Sequence, residues 1–143
     1  MTPVRIERRH LPAVAALEAS VFHAPWSEKS LELLCTENAF GYVCLDGERA
    51  VSYGGMTTVL DEGQITDIAT LAEYRRRGLA EAVLGALFDE ARARGLKQVT
   101  LEVRESNLAA IALYQKFGFV TVGRRPRFYR SPAEAAVLMT AAL

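Results

Sequence analysis

Histidine and cysteine are scarce in this chain of 143 residues, which has two histidines, His10 and His23, and two cysteines, Cys35 and Cys44. Neither type shows metal-ligand spacing, so no metal is expected. The cysteines sit in apolar settings without an activating base nearby in sequence, which suits buried reduced thiols and not a nucleophile. No stretch approaches the ~18 apolar residues that a membrane-spanning helix needs. The opening run Met1-Thr2-Pro3-Val4-Arg5 leads into charged residues, so no secretory signal is expected. Net charge is zero, which disfavours a general nucleic-acid binder. A Gly-x-x-x-x-Gly-Lys-Ser/Thr phosphate loop and a three-glycine dinucleotide fingerprint are both missing. Repeats, linkers and low-complexity segments are missing too. The expectation is a cytoplasmic protein that works without a membrane, a metal or direct contact with nucleic acid.

What remains is an ordinary globular composition, 50% hydrophobic and 24% charged, of a length that suits one domain over residues 1–143. Val4–Arg8 reads as a short strand. Leu11, Val14, Leu17 and Val21 recur at helical spacing, with Pro12 tolerated in the first turn. Ala24-Pro25-Trp26 breaks that helix, and Ser27 is placed to cap a second one through Leu34. Gly41–Leu45 and Ala50–Leu60 read as strands joined at Asp46-Gly47. Gly54-Gly55 inside the second marks a bend or a close backbone approach. Gln64–Thr70 is the next strand. The longest helix follows, with Leu79, Val83, Leu87 and Ala91 on one face and Gly95 as its stop. Gln98–Val103 alternates cleanly, Asn107 can cap a helix through Phe117, and Val120–Val122 and Val137–Thr140 close the chain as strands. Helices inserted among strands in this order predict a mixed α/β sheet with covered faces.

Positive charge is clustered, at Arg75–Arg77 and at Arg124, Arg125, Arg127 and Arg130. The first cluster, Arg75-Arg76-Arg77-Gly78-Leu79-Ala80, lies where a strand gives way to the longest helix. A glycine turn that opens a helix aims unpaired N–H groups and the positive end of the helix dipole at one point. The turn is therefore read as a pyrophosphate seat, with a solvated helix start as the alternative. Glu102 is a carboxylate on the non-apolar face of its strand, either a general base or a solvent-facing residue. Tyr114 sits among Ile111, Leu113 and Phe117, either a proton donor or a core tyrosine. Trp26, beside Pro25, is a core anchor or the wall of a substrate groove. Asn107 as a helix cap requires no further role.

Taken together, Ile68-Ala69-Thr70, Tyr74-Arg75-Arg76-Arg77-Gly78-Leu79-Ala80, Leu101-Glu102-Val103-Arg104-Glu105-Ser106-Asn107 and Ala110-Ile111-Ala112-Leu113-Tyr114-Gln115-Lys116-Phe117-Gly118-Phe119 resemble the GNAT acyl-CoA-dependent N-acetyltransferases in order and spacing. Pro25-Trp26-Ser27-Glu28-Lys29 and Leu101-Glu102-Val103-Arg104 with Asn107 are similar to the RimI type within that superfamily, the bacterial ribosomal-protein-alanine N-acetyltransferases. The resemblance spans nearly the whole chain. It implies a GNAT fold, a mostly antiparallel twisted sheet of about six to seven strands flanked by about four helices. It also implies acetyl-CoA as co-substrate in a V-shaped opening between the strands that end at Thr70 and Val103. By that likeness Ile68, Ala69 and Thr70 hold the pantetheine and thioester. Arg75, Arg76, Arg77, Gly78, Leu79, Ala80 and Glu81 hold the pyrophosphate, and Asn107 adds a further contact. Glu102 is the implied general base and Tyr114 the implied general acid, with Pro25, Trp26 and Tyr129 toward the acceptor.

The implied acceptor is a peptide or protein N-terminus, that of a ribosomal protein by the likeness to the RimI type. A small-molecule amine and a non-catalytic acetyl-CoA-binding module are the alternatives. The chain departs from the RimI pattern near its end. Glu134-Ala135-Ala136 stands where that type has Glu-Asp-Ala, and the preceding segment Arg127-Phe128-Tyr129-Arg130-Ser131-Pro132 is short. Both departures bear on the acceptor and not on acetyl-CoA.

Overall fold

In the computed structural model, which describes residues 1–130 and 132–143, the period-two runs become strands and the 3.6-period runs helices. The elements are β1 (Val4–Arg5), α1 (Leu11–Val21), α2 (Glu28–Leu31), β2 (Ala39–Asp46), β3 (Arg49–Val59), β4 (Glu62–Thr70), α3 (Leu79–Ala93), β5 (Gln98–Arg104), α4 (Leu108–Lys116), β6 (Val120–Arg130) and β7 (Ala133–Ala142). Their order is the one the sequence predicts. The seven strands form one sheet in the order β1-β2-β3-β4-β5-β7-β6. Every neighbouring pair is antiparallel except β4 and β5.

Helices cover both faces. Successive strand residues point to opposite faces, and Gly54 and Gly55 show what lies on each. A Cβ at Gly54 would stand 2.9 Å from Val83 and Leu87 of α3, whereas one at Gly55 would stand 2.8 Å from Leu34, beyond α2. The glycine pair therefore lets helical layers approach β3 closely from both sides. The apolar stripe of α3 (Leu79, Val83, Leu87 and Ala91) is buried with Leu84 and Phe88. Phe88 then makes edge contacts with Phe117 and Phe119, at 5.3 and 5.7 Å between ring centroids. This cluster ties α3 to the end of α4 and the start of the last hairpin.

Four elements differ most from expectation. The first strand stops at Arg5, and the chain turns into a 3-10 segment at Arg8–His10. The Glu7 N–H donates to His10 Nδ1 and the His10 N–H returns to the Glu7 carbonyl, which closes that turn. The helix capped by Ser27 lasts one turn before it tightens to a 3-10 segment at Glu32–Cys35. The last two strands run much further than Val120–Val122 and Val137–Thr140, and most of the expected loop Arg127–Pro132 is strand up to Arg130. Residue Ser131 of that loop lies outside the described residues. The miss has a physical cause. β6 is an edge strand bonded only to β7, and its side chains are nearly all exposed, so no buried face imposes alternation on the sequence. A register shift between Arg125 and Tyr129 accommodates Pro126 and the positive φ of Arg127.

Candidate functional site

The site is an opening made by two strands that separate. β4 and β5 pair only from Glu62–Gln64 to Gln98–Thr100, at the start of each strand. Beyond that point β4 keeps β3 on one side but loses β5 on the other, while β5 continues against β7. The divergence coincides with a bulge in β4. Met56 pairs with Ile65 and Gly54 with Ile68, so Thr66 and Asp67 together oppose the single residue Gly55. A side chain at Gly55 would place its Cβ 2.6 Å from the Thr66 hydroxyl oxygen, so the bulge has room only because that residue is glycine. The bulge interrupts the alternation of β4, and Thr66, Asp67 and Ile68 in succession become half-buried and face the opening.

Two hollows meet across this opening. One, of about 730 Å³, reaches from Ile68, Ala69 and Thr70 to the turn before α3. Its far wall is Arg75, Arg76, Gly78, Leu79, Ala80 and Glu81. Gly78 is the N-cap of α3 and adopts φ 75°, a left-handed conformation that glycine takes without strain. The first backbone bond of the helix runs from the Ala82 N–H to the Gly78 carbonyl at 3.0 Å. The amides of Leu79, Ala80 and Glu81 therefore have no acceptor within the helix, and no side chain caps it. Arg76 holds φ 64°, uncommon for a residue with a side chain, in the same turn. Such a combination of open amides, dipole and guanidinium groups is complementary to a diphosphate. Arg77 differs from its neighbours. Its side chain donates to the Glu73 carbonyl at 3.2 Å and lies 4.8 Å over the Tyr74 ring, and it does not line the hollow.

The second hollow, of about 600 Å³, lies on the other side of Ile68. Glu102 enters it from β5, Tyr129 from β6, and Trp26 from the segment after α1. Pro25 is not in the lining, although its neighbours Ala24 and Trp26 are. The Glu102 carboxylate is half-buried and its nearest cation, Arg125, is 3.8 Å away. Arg104 lies over the Tyr129 ring at 4.2 Å and pairs with Glu134 at 3.2 Å, which fixes Tyr129 against the end of β5.

Tyr114, Ile68 and Asn107 border both hollows. Asn107 also caps α4, accepting the Ala110 N–H at 3.2 Å, so the simple cap reading and the site reading coincide at one residue. Tyr114 is 7% exposed, with its ring 5.6 Å from that of Phe119. Its hydroxyl makes no hydrogen bond with a described residue, yet no buried polar side-chain atom among those residues lacks a partner. The hydroxyl therefore opens onto the space the hollows share. Burial, and then the nearby Asp67 and Tyr129, push its pKa above the usual phenol range, which keeps it a proton donor.

Sequence reasoning passed over two carboxyl groups. Glu18 of α1 is fully buried. It accepts the Trp26 N–H at 2.9 Å and the Tyr53 hydroxyl, and its carboxyl group acts electrostatically on that of Asp67. Asp67 lines the second hollow beside Ile68. Burial first, and then Glu18, raise its pKa from 3.8 to about 8. Both residues carried a signal. Glu18 interrupts the apolar stripe Val14, Leu17, Val21, and Asp67 is a residue type depleted in strands.

Comparison with known proteins places these features. Residues 11–119 match the family model described as Acetyltransferase (GNAT) family. The chain is 35% identical over 136 residues to the [ribosomal protein bS18]-alanine N-acetyltransferase of Escherichia coli K12, covering 94% of this chain and 92% of that one. It is 31% identical to the enzyme of the same name from Haemophilus influenzae, covering 94% of each. The crystal structure of the Escherichia coli ribosomal-protein-S18-alanine N-acetyltransferase superimposes with a TM-score of 0.90 at 34% identity, over 99% of this chain and 92% of that one. Ard1 of Thermoplasma volcanium shares the fold, with a TM-score of 0.85 at 22% identity.

Proposed function

The chain belongs to the acetyltransferase (GNAT) family, and from that premise we propose that it moves the acetyl group of acetyl-CoA onto the α-amino group of a protein N-terminus, with the terminal alanine of a ribosomal protein as acceptor. Residues 1–143 act as one acetyltransferase domain, in the cytoplasm and without a metal. No helix among the described residues is long and apolar enough to cross a membrane. The observation that carries the reading is the meeting of two hollows at Ile68 and Tyr114. One suits a diphosphate and the other has carboxyl groups suited to an amine.

The open amides of Leu79, Ala80 and Glu81, with Arg75 and Arg76, hold the pyrophosphate. Beyond Gln64, β5 leaves the near edge of β4 unpaired, and the backbone of Ile68, Ala69 and Thr70 lies along the pantetheine and thioester. The acceptor amine has an ordinary pKa of ~7.7–8.0, so much of it is ammonium at neutral pH. Glu102, through water, takes the proton that turns the ammonium into a free amine, and the second proton, lost once the C–N bond has formed, returns through water to Tyr114. As the C–N bond forms, a backbone N–H of β4 stabilises the charge on the thioester oxygen. The C–S bond then breaks and Tyr114 delivers its proton to the departing sulfur. Both substrates are held together, so no covalent enzyme intermediate is required.

Incubation with acetyl-CoA and a panel of peptides, read by mass spectrometry, tests this. The expected product carries one acetyl group on the α-amine of an alanine-initiated peptide. Acetylation of lysine side chains or small amines alone would overturn the assignment of the acceptor.

A further inference from the structure

The neighbouring carboxyl groups of Glu18 and Asp67 at the second hollow form no ion pair among the described residues. Glu18 instead accepts two hydrogen bonds, the Trp26 N–H on one oxygen and the Tyr53 hydroxyl on the other, and stands beside Asp67. Burial, and then the neighbouring Glu18, raise the pKa of Asp67, so Asp67 holds a proton that a free carboxyl group would lose. Asp67 is also the member that reaches the hollow. It stands there on β4, one residue from Ile68, while Glu102 lines the same space from β5. Ionising Asp67 beside the buried Glu18 is costly unless a cation arrives.

We infer that Asp67, backed by Glu18, is the specificity-determining contact for the acceptor's ammonium group, a role that rests on the acceptor proposed above. The incoming ammonium docks between Asp67 and Glu102 and supplies the missing positive charge. Its arrival releases the proton of Asp67 to water, because the cation stabilises the ionised carboxylate. Glu102 then removes the proton of the amine for reaction. An acetylated or otherwise uncharged N-terminus gains nothing from the pair.

The groups that face Asp67 bound this effect. Glu18 and Tyr53 lie behind it on α1 and β3, and Tyr114 and Tyr129 beside it on α4 and β6. Glu102 and Arg104 of β5, Arg130 of β6, His23 after α1 and Arg75 of the α3 turn line the same hollow. Arg104 is held by Glu134.

Asp67→Asn keeps a donor toward Glu18 and removes the charge. It should raise the peptide KM about tenfold to a hundredfold and leave the acetyl-CoA KM unchanged. An unchanged peptide KM would overturn the inference. Carboxyl carbon-13 NMR of the intact protein, assigned with the same variant, provides a second reading that does not depend on turnover. An alanine-initiated peptide with a free amine should lower the midpoint of Asp67, and the same peptide with an acetylated amine should not. Equal midpoints with both peptides would overturn the inference even if the enzyme is active. Failure of the acceptor assignment appears separately, as absence of α-acetylated product from the wild type.

Discussion

The two hollows are built in opposite ways. The one beside α3 uses backbone groups: the open amides of the first helical turn, the left-handed Gly78, and a strand edge that β5 has left. Its arginines Arg75 and Arg76 reinforce a field that the backbone already creates. The other hollow uses side chains from α1, β4, β5, α4 and β6, with carboxyl groups held by other side chains. A constant ligand can be read by a backbone. An acceptor that differs from enzyme to enzyme is read by residues that can change without loss of the fold.

Tyr114 stands where the halves meet, and its loss should have the largest effect. Tyr114→Phe should lower turnover by roughly tenfold to a hundredfold or more while acetyl-CoA binding survives, as judged by steady-state kinetics beside calorimetry. Unchanged turnover would remove the phenol from the mechanism.

The arginine turn sharpens the contrast from within. Arg76→Glu should weaken acetyl-CoA binding by about tenfold, with less effect on the peptide. Arg77→Glu should cost less, because the Arg77 side chain already lies on Tyr74 and the Glu73 carbonyl. Equal losses for the two variants would contradict the wall described here.

The acceptor side predicts a pH dependence that the α3 side does not. The Asp67 carboxyl titrates at about 8 when folded and at its ordinary 3.8 when unfolded. Between those values the folded chain holds a proton that the unfolded chain has lost, so stability declines as pH rises toward 8. Urea unfolding at about pH 5 and about pH 9 should show a decline in the wild type that is smaller in Asp67→Asn. Equal slopes would show that burial does not hold that proton.

Asn107→Ala should have the smallest effect. Loss of the cap on α4 should cost about 1 kcal/mol of stability, measured by denaturant midpoint. A loss well beyond that range would mean that Asn107 supports more than the helix end.

The same contrast explains what could be read from the sequence. The order of all the elements was legible, because buried faces impose their periods on the chain. The turn before α3 was legible because a backbone site needs a glycine and a helix start in fixed succession. Glu102 and Tyr114 were legible only with the help of the family resemblance, since either could have been scaffolding in isolation. Asp67 and Glu18 are 49 positions apart; the glycine pair marks a bend in the strand, but no local pattern announces that the bulge opposite Gly55 brings these two residues together. The long last hairpin was missed because an exposed edge strand rich in arginine has no hydrophobic period.

The central claim is that the two hollows are halves of one site joined at Ile68 and Tyr114. Calorimetry with a conjugate that links CoA to the α-nitrogen of an alanine-initiated peptide tests it most directly. The account predicts that the conjugate binds about a hundredfold or more tighter than CoA alone, because its second half engages without a second loss of freedom. A conjugate that binds no better than CoA would contradict it.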